Sequence, residues 1–367
     1  MILKRLTIGK ASCFALASLL CCANLCLAQE SMSDSQIKTT VQLPAETIDV
    51  TFITQRNRTG STEPADYFDG SRGELTAGSA TVSFSPIWGV SDISSSFNFY
   101  IPDEKIALVD IREKSLPSLY DGIKSFSRQG NGNHVLYVHG YNIDFEKSCR
   151  RTALFQRALG LKDRLLLFSW PADGNMLKYT WDEADLTWSV AHIAGFFEKL
   201  ETLTGREKVD VVAHSLGARG VVNALVRLSY RKRAGQIINE LILIAPDIDA
   251  GVFAQELAQL RGVVRRITVY VSDNDKALRL SQEVHGYPRL GQAGENLQVF
   301  DGVESIDISR IATWRMSGHL YHLFNPEVIA DLTELLHTGK PAQQRPRLKK
   351  MVHDGLPYWE MQPQDAD

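Results

Sequence analysis

The stretch that most constrains this chain is Val209-Asp210-Val211-Val212-Ala213-His214-Ser215-Leu216-Gly217. It opens as a valine-rich run, which favours a strand. It passes without a spacer into 216–230, where the apolar spacing favours a helix. A serine stands at the junction with a small residue two places to either side. Where a strand turns that sharply into a helix the two backbones nearly touch, so the flanking positions must be small. The serine at such a turn is held in strain with its Oγ exposed, the geometry of a nucleophile elbow. Ala213 takes the first small position, where glycine is usual, and Gly217 takes the second.

The neighbouring pattern supplies a sheet for that elbow. Apolar runs at 135–138, 165–168, 209–213, 237–245, 267–271 and 297–300 alternate with helical spacing at 145–159, 181–203, 216–230, 252–259, 276–284 and 326–336. Strands without clean alternation, separated by helices, indicate a mostly parallel sheet with helices on both faces. With the elbow, this reads as the α/β-hydrolase fold. Segments 48–54, 80–84 and 106–111 read as earlier strands that extend the sheet, and 115–129 as a helix. The expected domain runs over 47–338. The Pro-, Gln- and Lys-rich tail 339–367 is expected to be poorly ordered.

The first residues read as something other than fold. Lys4, Arg5 and Lys10 precede an apolar run from Ala11 to Leu27, and Ala28 closes a Cys26-Leu27-Ala28 stretch. A positive head, a short apolar run and a small-residue site form a cleavable secretory signal over 1–28. The run is short for a bilayer span, which needs about 20 apolar residues. The mature protein is therefore expected to be exported, periplasmic or extracellular, with no stable membrane span. Residues 29–46 read as a flexible linker. Cleavage removes three basic residues and takes the net charge from −3 to −6. The remaining basic residues are scattered apart from Arg231-Lys232-Arg233 at a helix end, so no nucleic-acid partner is expected. Four of the five cysteines leave with the signal. Cys149 remains alone and reads as a packed core residue, without a disulfide partner.

The chemistry follows from the chain order of this fold, in which serine, acid and histidine come in that sequence. Ser215 is the expected nucleophile. After the strand at 135–138 comes His139-Gly140-Tyr141-Asn142, in the place of the loop that gives one oxyanion donor. The donors would be the backbone amides of Tyr141 and Leu216. Two fixed dipoles aimed there stabilise a tetrahedral oxyanion more than a ground-state carbonyl. His139 and His214 read as loop-supporting residues. The late Gly318-His319-Leu320-Tyr321-His322 offers the base, His319 being favoured over His322 for its loop position. The acid is Asp275, just past the strand at 267–271, or alternatively Asp247, past the strand before it; Asp275 is favoured. Failing that role, Asp247 would cap a helix or brace a loop. Trp170, at a strand end before Pro171, is the expected pocket-lining residue. No metal-ligand spacing and no phosphate loop are present, so neither metal nor cofactor is expected.

These pieces carry a resemblance. Thr54-Gln55-Arg56-Asn57-Arg58, His139-Gly140-Tyr141-Asn142, Phe168-Ser169-Trp170-Pro171, Ala213-His214-Ser215-Leu216-Gly217, Ala245-Pro246-Asp247, Ser272-Asp273-Asn274-Asp275 and Gly318-His319 resemble motifs of a bacterial α/β-hydrolase family. That family is esterase/lipase-like and known as domain of unknown function 900. The resemblance spans roughly 48 to 336, with Gln55 departing from the early motif. It implies the fold and a hydrolase-type triad, and no particular substrate. The expected function is carboxylic-ester hydrolysis through an acyl-enzyme, on a small-molecule or lipid ester. The same machinery would serve acyl transfer, or cleavage of a thioester, lactone or amide. A binding protein that keeps the fold without the catalysis is the reading from another class.

Overall fold

The structure, a computed structural model, describes residues 46–85, 105–130, 132–175, 178–206, 208–231, 235–311 and 318–363. The expected signal at 1–28 and the linker up to 45 lie outside these residues, as do Lys232 and Arg233. The chain begins with β1 (Glu46–Arg58), β2 (Phe68–Phe84) and β3 (Ile106–Lys114), then α1 (Leu116–Arg128), β4 (His134–Val138), α2 (Phe145–Ala158), β5 (Leu165–Ser169) and α3 (Tyr179–Thr204). It continues through β6 (Val209–His214), α4 (Leu216–Ser229), β7 (Ile238–Ile244), α5 (Ala250–Arg261), β8 (Val264–Val271) and α6 (Lys276–His285). It closes with β9 (Val303–Asp307), α7 (Tyr321–Phe324), α8 (Pro326–Thr338), β10 (Leu348–His353) and β11 (Leu356–Met361).

All the strands join one sheet in the order β10-β11-β9-β8-β7-β6-β4-β5-β1-β2-β3. From β11 to β1 every neighbour pair is parallel, and among the described residues the antiparallel strand pairs lie at the two ends. The side-chain period of two divides the core between the faces. Val211, Ala213, Leu241 and Leu243 point into one apolar layer with α1, α3, α4 and α5. Val212, Ile242 and Ile244 point into the other with α2, α6, α7 and α8. This is the α/β-hydrolase architecture, a mostly parallel sheet with helices on both faces.

Two expectations about the late chain are corrected. The apolar run 297–300 is not a strand: Leu297 is buried and Phe300 meets the Phe253 ring at 5.4 Å, so its hydrophobicity serves packing. The pairing with β8 is made instead by β9. The tail residues 339–363 are also built into the fold. Asp354 and Gly355 both have positive φ, at 49° and 78°, which suits a tight hairpin turn between β10 and β11. β11 then pairs with β9. Arg345 is buried and donates to Asp331 at 2.5 Å and to the Tyr270 hydroxyl at 3.1 Å, so the segment leading to β10 is anchored in the core.

Candidate active site

The junction of β6 and α4 is a strained turn. Ser215 has φ 53° and ψ −125°, in a region a side chain rarely enters. Neighbours hold it there. Its N–H donates to the Ile244 carbonyl at 2.9 Å, and its carbonyl accepts from Ala218 at 3.0 Å and Asp247 at 3.2 Å. The small flanking residue is a steric requirement: a Cβ on Gly217 would stand 2.1 Å from the His139 carbonyl oxygen. Gly140 meets a similar limit, since its Cβ would be 2.9 Å from Ser215 Cβ and 2.8 Å from His214 Nδ1. The loop leaving β4 therefore lies directly against the serine. Leu216 is the first residue of α4, where an N–H has no acceptor within the helix. Tyr141, the residue after Gly140, is partly buried and turns its ring edge to Tyr179 at 5.0 Å.

His319 and Asp275 meet beside this turn. His319 Nδ1 lies 2.6 Å from Asp275 Oδ2. The other carboxylate oxygen of Asp275 accepts the N–H groups of Ala277 and Leu278, at 3.0 and 3.1 Å, and so caps α6. The aspartate is thereby fixed by a helix start while it faces the imidazole. Gly318 allows the approach: it has φ 63°, and a Cβ there would be 2.3 Å from the Asn274 carbonyl oxygen. Burial alone would lower the pKa of His319, but the charge and hydrogen bond of Asp275 outweigh it and hold it above the ordinary value. His214 Nε2 lies 3.0 Å from the His319 carbonyl oxygen, and the two rings are 4.6 Å apart. A carbonyl only accepts, so His214 donates, carrying its proton on Nε2.

The competing residues have other partners. Asp247 accepts from Arg289 Nε at 2.7 Å, Ser281 at 2.6 Å and the Tyr179 hydroxyl at 2.7 Å. Burial would raise its pKa, but Arg289 and Arg219 pull it below the ordinary value. With its N–H on the Ser215 carbonyl, Asp247 braces the elbow; the cap of α5 belongs to Asp249. His322 is fully buried, 3.2 Å from the Tyr137 hydroxyl, with its ring 4.4 Å from that of His214. Burial first, then the charge of Arg151, holds it neutral, far below the ordinary histidine value.

Trp170 is placed differently from expectation. It has no exposed surface, so it lines no open pocket. Its indole donates to the His139 carbonyl at 2.8 Å and stacks on the His139 ring at 5.1 Å, supporting the β4 loop from behind. Cys149 is buried in α2, and burial pushes its thiol pKa up. Among the described residues no group of three or more His, Cys, Asp or Glu side chains could hold a metal ion, and no helix is long and apolar enough to cross a membrane.

Sequence reasoning did not assign three supports of the site. Asp182, buried in α3, accepts the N–H groups of Asn142 at 3.2 Å and Asp173 at 2.9 Å. Arg56 and Ser169 lie in segments singled out as motifs but given no role. Arg56 joins them, donating from Nε to Ser169 Oγ at 2.9 Å. An Arg-Asn-Arg end to an otherwise apolar strand was the signal available.

A family model described as "Alpha/beta hydrolase of unknown function (DUF900)" matches residues 121–337. No curated protein matches the chain. Similar solved structures include a hyperthermophilic esterase from the archaeon Pyrobaculum calidifontis, 12% identical over 80% of this chain and 86% of that one, with a TM-score of 0.36. Another is the carboxylesterase CesB (YbfK) from Bacillus subtilis, 12% identical over 82% of this chain and 93% of that one, with a TM-score of 0.33.

Proposed function

The chain belongs to the alpha/beta hydrolases of unknown function (DUF900), and on that premise we propose that it is an exported serine hydrolase cleaving carboxylic esters. The observation that carries the reading is the 2.6 Å contact of Asp275 with His319, beside a serine held at a positive φ. In this mechanism Ser215 Oγ attacks the ester carbonyl carbon and His319 Nε2 takes its proton. Asp275 holds the Nδ1–H tautomer and stabilises the imidazolium. The amides of Tyr141 and Leu216 receive the oxyanion. The imidazolium then protonates the leaving alkoxide, giving the acyl-enzyme. Water, activated by the same histidine, releases the acid. The substrate is a small-molecule or lipid ester.

A fluorophosphonate labels an activated serine, so, with Ser215→Ala as control, it provides the test. The purified protein is expected to be labelled at Ser215 and to turn over p-nitrophenyl esters in an acyl-length-dependent way, with Ser215→Ala losing both. An unlabelled wild-type protein would overturn the reading. The exported protein is expected to begin at Gln29 on N-terminal sequencing; an intact Met1 would remove the export part.

A further inference from the structure

Arg56 is 1% exposed at the end of β1; among the described residues no carboxylate touches it, and Asp144, Asp182 and Asp173 act on it only from a distance. A buried cation with no carboxylate in contact is costly unless its donors are used. Here they go to two loops at the serine's edge of the sheet. Nε reaches Ser169 Oγ at 2.9 Å and Nη1 the Ala172 carbonyl at 2.7 Å, both beyond or at the end of β5. Nη2 reaches the Ile143 carbonyl at 2.7 Å, after β4, and lies 3.5 Å from His139 Nε2. Nη1 also lies 3.4 Å from the Asp69 carbonyl oxygen.

The imidazole of His139 passes this restraint on. Its Nδ1 is 2.9 Å from the Gly140 carbonyl oxygen. That oxygen can only accept, so Nδ1 bears the proton. Nε2 is then the acceptor, facing Arg56 and, at 3.4 Å, Ser169 Oγ. A peptide unit is planar and trans, so its C=O and N–H point in opposite directions. Whatever holds the Gly140 carbonyl therefore also aims the Tyr141 N–H. We propose that Arg56 and His139 are positioning residues: Arg56 holds His139 as the Nδ1–H tautomer, and His139 sets the Gly140–Tyr141 peptide plane so that the Tyr141 amide is preorganised for the oxyanion. This rests on the reading of Ser215 as an ester-cleaving nucleophile. Burial brings Arg56 down to about 10, which leaves it cationic at neutral pH. Burial, reinforced by that cation, keeps His139 neutral, the only state that can accept on one nitrogen and donate from the other.

The test uses the full protein with fluorophosphonate titration, so that turnover is counted per reactive serine. Arg56→Lys keeps the charge but cannot fork between the loops, and His139→Phe keeps the stack on Trp170 without its hydrogen bonds. Both are expected to lower kcat about 100-fold, the loss typical of a misplaced catalytic group, with KM changed less than threefold. Affinity for an aryl trifluoromethyl ketone, which forms the oxyanion adduct, should fall in parallel. Unchanged kcat per titrated serine in both variants, or a rise in KM alone, overturns the proposal. Nitrogen-15 NMR of the histidine side chains in the wild-type protein tests it without any variant. Nδ1–H on His139 is expected, and an Nε2–H tautomer overturns it. A wild-type protein that fluorophosphonate leaves unlabelled defeats the esterase reading instead, and the NMR result then decides the peptide geometry separately.

Discussion

Asp247 and Asp275 each follow a strand of the central sheet, and both are almost wholly buried. What separates them is who uses the carboxylate. Asp275 divides its oxygens between the α6 cap and His319, whereas both oxygens of Asp247 are taken by Arg289, Ser281 and Tyr179. Asp275→Asn retains an oxygen for the cap but disturbs the tautomer of His319. It is expected to stay folded while turnover falls by about 10⁴-fold. Asp247→Asn leaves the guanidinium of Arg289, which is 3% exposed, without its counter-charge. Breaking a buried pair in this way costs about 3–5 kcal/mol, so this variant is expected to unfold at lower denaturant while its folded fraction remains active. Turnover per folded molecule, read beside urea unfolding, checks both; an active Asp275→Asn would dismiss Asp275 as the acid. The sequence named both aspartates because position after a strand is a local property. It could not rank them firmly, since the partners of Asp247 come from α3, α4, α6 and the loop after α6. Trp170 was misjudged for a related reason: an aromatic at a strand end reads the same whether it faces the cleft or the back of the oxyanion loop.

At the scale of elements, the legible parts were those whose signal is local. The β6–elbow–α4 unit, with Gly217 under the His139 carbonyl, follows from spacing and size alone. The helices α1, α2, α4 and α8 carry an apolar face and appear within a few residues of the expected bounds. The β10–β11 hairpin was missed because its strands are amphipathic at best and its composition is that of a loose tail. What orders it is non-local: pairing of β11 with β9, and Arg345 reaching Asp331 on α8. Asp331 is buried and its pKa is raised, with burial the leading cause and Arg345 acting against it. Arg345→Met therefore strands a carboxylate in the core, and the expected loss is about 3–5 kcal/mol. Urea unfolding of this variant measures it. A loss under 1 kcal/mol would mean that the tail is ornamental to the fold, despite its place in the sheet.

For the whole molecule, the notable charge feature is a set of histidines held neutral inside it. His139, His214 and His322 all have pKa values pushed well below 6.5, by burial first in each case. Above about pH 6.5 neither the folded nor the unfolded chain protonates them, and their full contribution to stability is present. As pH falls below that value the unfolded chain takes up protons that the folded one declines. Stability then drops by up to about 1.4 kcal/mol per pH unit for each group. His319 acts with the opposite sign. Its folded value is raised, so its contribution is present below pH 6.5 and is lost as pH rises through that higher value. His134 and His192, whose pKa values are also lowered by burial, act in the same direction, and His319 adds a constant contribution below pH 6.5, so the histidines together make the fold acid-labile below that pH. The same groups aim the site: His139 holds the Gly140 carbonyl and His214 the His319 carbonyl. His322 packs against His214, Phe155 and Tyr321 and hydrogen-bonds the Tyr137 hydroxyl, holding no backbone carbonyl of the site, so it can be changed with the least effect on that geometry. The urea midpoint of the wild-type protein is expected to fall from pH 6.5 to 5.5. In His322→Phe the slope should be shallower by about one proton's worth. A midpoint independent of pH over this range would show that the buried histidines gain protons without unfolding, and would reverse the assignment of their neutral state.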